Sequence, residues 1–180
     1  MDQVFMTCDE GSVGRSVAMW RAAGEGRDAA AAVRALSPDA RMISPATAQY
    51  AFVGHSQIQC LLEEAFKVIT SISYVDQMQS GSSVALFYRG TLGCTDFEEA
   101  QRLRLNSAGQ IEEITLFVRP LPAMTGLMHQ LGPALARRAN RPQLASILAG
   151  AGRMLHLFAE AGERRLLPRT RPASEDRLPS

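Results

Sequence analysis

Apolar positions recur along this chain at two spacings, and the elements change where the spacing changes. Over 12–24, Val13, Val17 and Trp20 fall at i, i+4 and i+7, one stripe of a helix. Gly24-Glu25-Gly26 interrupts it. Asp28 then opens an alanine-rich second helix to about residue 36, which Ser37-Pro38-Asp39 is expected to close, because the residue before proline disfavours helical backbone. From Ala40 the period becomes two, and 41–44 and 49–53 read as short strands separated by Pro45. Gly54 ends the second. Ser56 is the expected N-cap of the clearest helix, in which Ile58, Leu61, Leu62, Ala65, Phe66 and Ile69 keep helical spacing. Four strands are expected next: 71–79, 83–92 across the turn Ser80-Gly81-Ser82, 97–106, and 110–119 across Asn106-Ser107-Ala108-Gly109. Pro120 and Pro122 end the sheet. The stripe Leu121, Met124, Leu127, Met128, Leu131 reads as a helix cut by Gly132-Pro133. A further helix begins near Pro142 and carries Leu144, Ile147, Leu148, Ala151, Met154, Leu155 and Phe158.

Helices, a strand pair, a long helix and then a run of antiparallel strands make an α+β pattern, with the sheet curling around the central helix. The expected organisation is one domain over 12–138, an amphipathic helix over 142–161 and a disordered tail over 167–180, proline-rich and without periodicity.

Composition narrows the class. The chain has 180 residues, 46% hydrophobic and 21% charged, enough for one ordinary core. Nineteen basic against eighteen acidic residues leave a net charge of +1, which offers no electrostatic footprint for a phosphate backbone, so nucleic acid is not an expected partner. No apolar run approaches the ~20 residues of a spanning helix, and no membrane partner is expected. The first residues carry Asp2, Asp9 and Glu10 and no basic stretch, so they do not read as a secretory signal and the expected location is the cytoplasm. Cys8, Cys60 and Cys94 are far apart and odd in number, which speaks against a disulfide framework and a structural zinc site. No GxGxxG, P-loop, HExxH or GxSxG string occurs, in keeping with a pocket that uses no metal and no organic cofactor.

Three groups of residues carry a likeness. Met42-Ile43-Ser44-Pro45 and then Tyr50-Ala51-Phe52-Val53-Gly54 form a short strand pair that ends in glycine before a long helix. Tyr74-Val75-Asp76 to Gly81 and Val84-Ala85-Leu86-Phe87-Tyr88 form a hairpin, and Arg102-Leu103-Arg104-Leu105-Asn106, Gly109-Gln110-Ile111 and Leu116-Phe117-Val118-Arg119-Pro120 form closing strands. Over about 13–135 this order resembles the nuclear transport factor 2-like superfamily, and within it the SnoaL-like branch. The resemblance implies a cone, a curved mixed sheet wrapped around three helices over an apolar pocket, here with additional C-terminal helices. The family contains ketosteroid isomerases, polyketide cyclases, limonene epoxide hydrolase-like enzymes, dehydratases and pure binding domains. It therefore implies either a cofactor-free enzyme for isomerisation, cyclisation or epoxide opening of an apolar oxygenated molecule, or a non-catalytic binding or interaction module. The sequence departs from the family at two places. Leu116 stands where many cyclases and epoxide hydrolases have an aspartate, and Thr91 stands where the latter have a second carboxylate.

Alternation along the strands supplies the candidates. Tyr74 and Asp76, two apart, are expected on one face as an acid/base pair. Glu99, Gln101, Leu103 and Leu105 share a face; Gln101 is expected deep in the pocket with Tyr88 beside it, and Glu99 nearer the rim. Trp20, Tyr50 and Leu116 complete the expected ligand-binding set. The apolar helix after 142 must cover something, and a homodimer is expected, formed through the outer face of the sheet, with this helix packed within it.

Overall fold

A computed structural model describes residues 10–170. Of the tail expected over 167–180, Leu167–Thr170 form a 3-10 turn and 171–180 lie outside the described residues, as does the side chain of Val13. In chain order the elements are α1 (Glu10–Gly26), α2 (Ala29–Val33), β1 (Leu36–Ile43), β2 (Phe52–Val53), α3 (Gly54–Val68), β3 (Ile69–Ser80), β4 (Ser83–Leu92), β5 (Thr95–Leu105), β6 (Ile111–Arg119), α4 (Leu121–Arg138) and α5 (Pro142–Ala161). The strands form one curved, unclosed six-stranded sheet in the order β2-β1-β6-β5-β4-β3. All neighbours are antiparallel except β1 and β6, so the sheet is mixed. Its inner face packs on α1, α2 and α3 through Val17, Trp20, Ala32, Leu36, Met42, Ile58, Leu86, Leu103 and Ile114. A second cluster, Ile69, Tyr88, Leu92, Phe97 and Ala123, joins the far end of the sheet to α4.

Four local expectations are corrected. Ser37-Pro38-Asp39 does not close a helix. The second helix stops at Val33, and Pro38 lies inside β1. Along β1 and β6 the register runs from Leu36 opposite Ile111 to Arg41 opposite Glu113, so residues 37–40 bulge out of the ladder. A proline there forfeits no strand bond. The strand expected over 49–53 shrinks to Phe52–Val53, which leaves Tyr50 in the preceding loop. Ser56 does not cap α3; Gln57 accepts the Val53 N–H at 3.0 Å instead. Gly132-Pro133 does not cut α4 either. Pro133 is buried within the helix, which runs on to Arg138, so packing against the domain outweighs the lost ladder bond. Arg138 ties the end of α4 to α3 through Glu63 at 2.7 Å and Glu64 at 3.0 Å.

Candidate active site

The polar part of the site is set by strand register. Tyr74 on β3 lies opposite Tyr88 on β4, Tyr88 opposite Glu99 on β5, and Glu99 opposite Val118 on β6. One row thus crosses four strands on the inner face. The adjacent row holds Leu86, Gln101 and Leu116. Gln101 receives the Trp20 indole N–H of α1 on its Oε1 at 2.8 Å and the Tyr74 hydroxyl on the same atom at 3.3 Å. An indole N–H can only donate, so the Gln101 carbonyl must face Trp20 and its amide must face the other way. There Nε2 donates to Glu99 Oε1 at 2.8 Å. The Tyr88 hydroxyl donates to the same carboxyl group.

Glu99 and Gln101 are each 6% exposed and Trp20 is 4% exposed. Burial pushes the Glu99 carboxyl up from 4.5 to about 7, partly offset by the hydrogen bonds from Gln101 and Tyr88. Among the described residues no basic side chain takes up its charge. Burial also pushes both phenols upward, reinforced by the nearby Glu99 charge, so Tyr74 and Tyr88 stay protonated donors across the neutral range. The site therefore holds a carboxyl group poised near neutrality between two neutral hydroxyl donors.

These groups form the floor of a cavity of about 330 Å³ whose walls are almost wholly hydrocarbon. Leu116 and Val118 line it from β6, Leu61, Leu62 and Phe66 from α3, and Met124, Leu127, Met128 and Leu131 from α4, while α5 adds Leu148. Tyr50 also lines it, exposed in its loop and edge-on to Phe52 with ring centres 5.6 Å apart.

The structure separates Tyr74 from Asp76. The register slips between them: Tyr74 pairs with Tyr88, but Asp76 pairs with Phe87, so Val75 is an extra residue in a β-bulge. The bulge turns Asp76 away from the row. Asp76 is exposed and accepts the following backbone N–H, that of Gln77, at 2.7 Å. Helix α1 clamps the bulge: Glu25 accepts the Tyr74 N–H at 3.1 Å, Arg21 donates to Gln77 at 3.1 Å, and the Arg21 guanidinium lies 5.5 Å from the Tyr74 ring centre. The expected rim position of Glu99 is also corrected, since it lies as deep as Gln101.

Two glycines that reading the motifs left unassigned shape the site. A Cβ on Gly24 would stand 2.9 Å from the Tyr74 hydroxyl, so only glycine leaves the phenol its seat against α1. A Cβ on Gly90 would stand 2.7 Å from the Phe97 ring, which packs edge-on against Tyr88 with centres 5.7 Å apart. The available signals were a glycine within a helix and a glycine within a strand, each a mark of close approach. Among the described residues no group of three His, Cys, Asp or Glu could hold a metal ion, and no helix is long and apolar enough to cross a membrane.

No protein-family model matches the sequence, and no curated protein matches it. Solved structures do. A steroid delta-isomerase from Pseudomonas aeruginosa is 26% identical, with a TM-score of 0.65 over 73% of this chain and 96% of that one. An uncharacterised protein with a cystatin-like fold from Silicibacter pomeroyi is 19% identical, with a TM-score of 0.64 over 73% and 92%. A SnoaL-like protein of unknown function from Burkholderia thailandensis is 15% identical, with a TM-score of 0.53 over 63% and 99%. In element order and sheet topology the chain has the fold of these structures, and it resembles the nuclear transport factor 2-like superfamily and its SnoaL-like branch.

Proposed function

We propose that the protein is a cofactor-free proton-transfer enzyme for an apolar molecule that carries a carbonyl group, with Glu99 as the base and Tyr74 as the donor to the carbonyl oxygen. The observation that carries this reading is the Glu99 carboxyl, buried on the floor of a hydrocarbon pocket and pushed up to about 7. A base with that value is deprotonated often enough to act and basic enough to take a proton from a carbon acid.

The chemistry needs few parts. The Glu99 carboxylate takes a proton from the carbon next to the carbonyl, and the electron pair moves onto the carbonyl oxygen. The Tyr74 hydroxyl bonds that oxygen, where negative charge develops, and exchanges its long 3.3 Å bond to Gln101 for a stronger one to an anion. Glu99, now a carboxylic acid, returns the proton two carbons further along, which shifts a double bond and restores the carboxylate. If the enolate carbon instead attacks a second carbonyl of the same molecule, the result is cyclisation. Tyr88 and Gln101 act as positioning residues that hold the carboxylate, while Trp20 holds Gln101. Epoxide opening fits less well, because among the described residues Glu99 is the one carboxyl group lining the pocket and a second acid is needed to protonate the epoxide oxygen. Asp76, expected from alternation as the base, has no part in this mechanism.

A second reading, a binding module without catalysis, draws on a specific observation: Trp20, Tyr74, Tyr88, Glu99 and Gln101 already satisfy one another. The two readings separate in deuterated water with a β,γ-unsaturated steroid ketone as probe. The enzyme washes deuterium into the probe and moves its double bond, and Glu99→Gln slows both by ~100-fold or more. Binding of the probe without exchange would establish the module instead.

A further inference from the structure

Helix α5 packs the wrong way round for a helix that ends its work inside one chain. It meets α4 with small residues, Ala145 and Ala159 being buried, and a Cβ on Gly152 would stand 2.9 Å from the His129 Cα. Across the same contact, a Cβ on Gly126 of α4 would stand 3.3 Å from the His156 ring. The two helices are thus as close as their backbones allow, and α5 cannot roll to hide its other side. That other side carries the large residues: Phe158 is 72% exposed, Ile147 66%, Met154 63% and Leu157 55%, with Leu144 and Leu155 beside them. At 100° per residue these six, with Gly150, Ala151 and Ala161, fill one arc of the helix with no charged residue in it.

We infer that this arc is the seat for the α5 helix of a second copy of this chain, laid antiparallel across a two-fold axis. The first argument is self-complementarity. With the axis midway between Gly152 and Arg153, antiparallel pairing sets Ala151 opposite Met154, Gly150 opposite Leu155 and Leu144 opposite Ala161. Each small residue meets a large one, and Ile147 meets Phe158. An interface related by a two-fold requires this property of a single surface, whereas an unrelated partner does not. The second argument is size. The six large side chains expose roughly 700 Å² per chain, close to the ~800 Å² per partner of a standard interface.

A membrane surface fits worse. An interfacial helix turns a basic face to the headgroups, and the face of α5 opposite the arc is spent on α4. The outer face of the sheet also fits worse, because its charges are already paired within the chain. Glu98 there holds Arg89 at 3.3 Å and Arg119 at 3.0 Å, and Arg104 holds Glu112 at 3.0 Å. Since α4 walls the pocket and α5 adds Leu148 to it, pairing at α5 would also stiffen the cavity wall. This inference does not depend on the proposed reaction.

Sedimentation velocity of the full chain at tens of micromolar tests it. The wild type is expected to run as a dimer. Met154→Arg and Ala151→Trp are expected to run as monomers with unchanged far-UV circular dichroism. The first places a charge in the seam and the second fills the space that faces Met154; both positions are exposed in a single chain, so neither disturbs its core. A monomeric wild type overturns the inference. So does a dimer that survives both variants, which would place the interface elsewhere, and so does a monomer that sediments with anionic phospholipid vesicles.

Discussion

Glu99 holds the account together at the residue scale, and its position has a measurable consequence beyond rate. Its folded-state value of about 7 lies above the 4.5 of an unfolded chain. Between those values the folded protein binds the extra proton, so stability falls as pH rises from about 4.5 to about 7 and levels off above. The full difference is at most about 3 kcal/mol. Glu99→Gln removes this slope, and the variant is expected to melt above the wild type at pH 8 while losing the proposed activity. Equal pH slopes in chemical denaturation of the two proteins would contradict a buried, unpaired carboxylate. Gln101 acts in the opposite direction, since its amide favours the charged form. Gln101→Leu, which keeps the volume beside Leu116, is expected to move the midpoint of the rate–pH profile upward by ~1 unit. A merely structural role for Gln101 would lower the rate at every pH and leave the midpoint in place.

At the scale of elements, the bulge at Val75 decides which residues meet. Alternation assigns Tyr74 and Asp76 to one face, and it would be right in a regular strand. One extra residue reverses the assignment, and nothing in Tyr74-Val75-Asp76 announces it, because the contacts that hold it come from α1, from Glu25 and Arg21, about fifty residues away. Where no bulge intervenes, alternation reads well: Glu99, Gln101, Leu103 and Leu105 share the inner face of β5 as expected. The depth of Glu99 was not legible, because it depends on α4 covering that end of the sheet and not on the strand itself. Pro38 and Pro133 mislead for a related reason. Each is tolerated by its surroundings, one in an unpaired stretch of β1 and the other inside a packed helix. Gly90 tests the geometry of the row. Gly90→Ala drives a methyl group into Phe97 and the Ser71 carbonyl, and is expected to cost about 1–3 kcal/mol in thermal or chemical denaturation. Unchanged stability would mean that Phe97 does not lie over that position.

On the scale of the whole molecule, the sheet supplies the polar floor and the helices supply the oil. The α+β class was legible from the order of periods, while the cone and its mixed sheet followed from the resemblance in element order. The outer wall of the pocket was not, because α4 and α5 complete it from outside the strands that carry the motifs. Truncation after Arg138 removes Leu148 from the wall and uncovers the α4 surface around Gly126 and His129. The shortened chain is expected to be less soluble and to lose the rise in melting temperature that an apolar ketone gives the full chain, which reflects a stabilisation of ~2.7 kcal/mol at a hundred times its Kd. An undiminished rise would place the ligand away from α4 and α5.

The most direct measurement is a ¹³C NMR titration of the glutamate side-chain carboxyl carbons, with Glu99 identified by its absence in Glu99→Gln. One resonance is expected to inflect near pH 7, and to move toward the ordinary range only when the fold is lost. A Glu99 carbon that inflects near 4.5 in the folded protein would contradict the account, because it would mean that the carboxyl group keeps its water and is not buried on the floor of a hydrocarbon pocket.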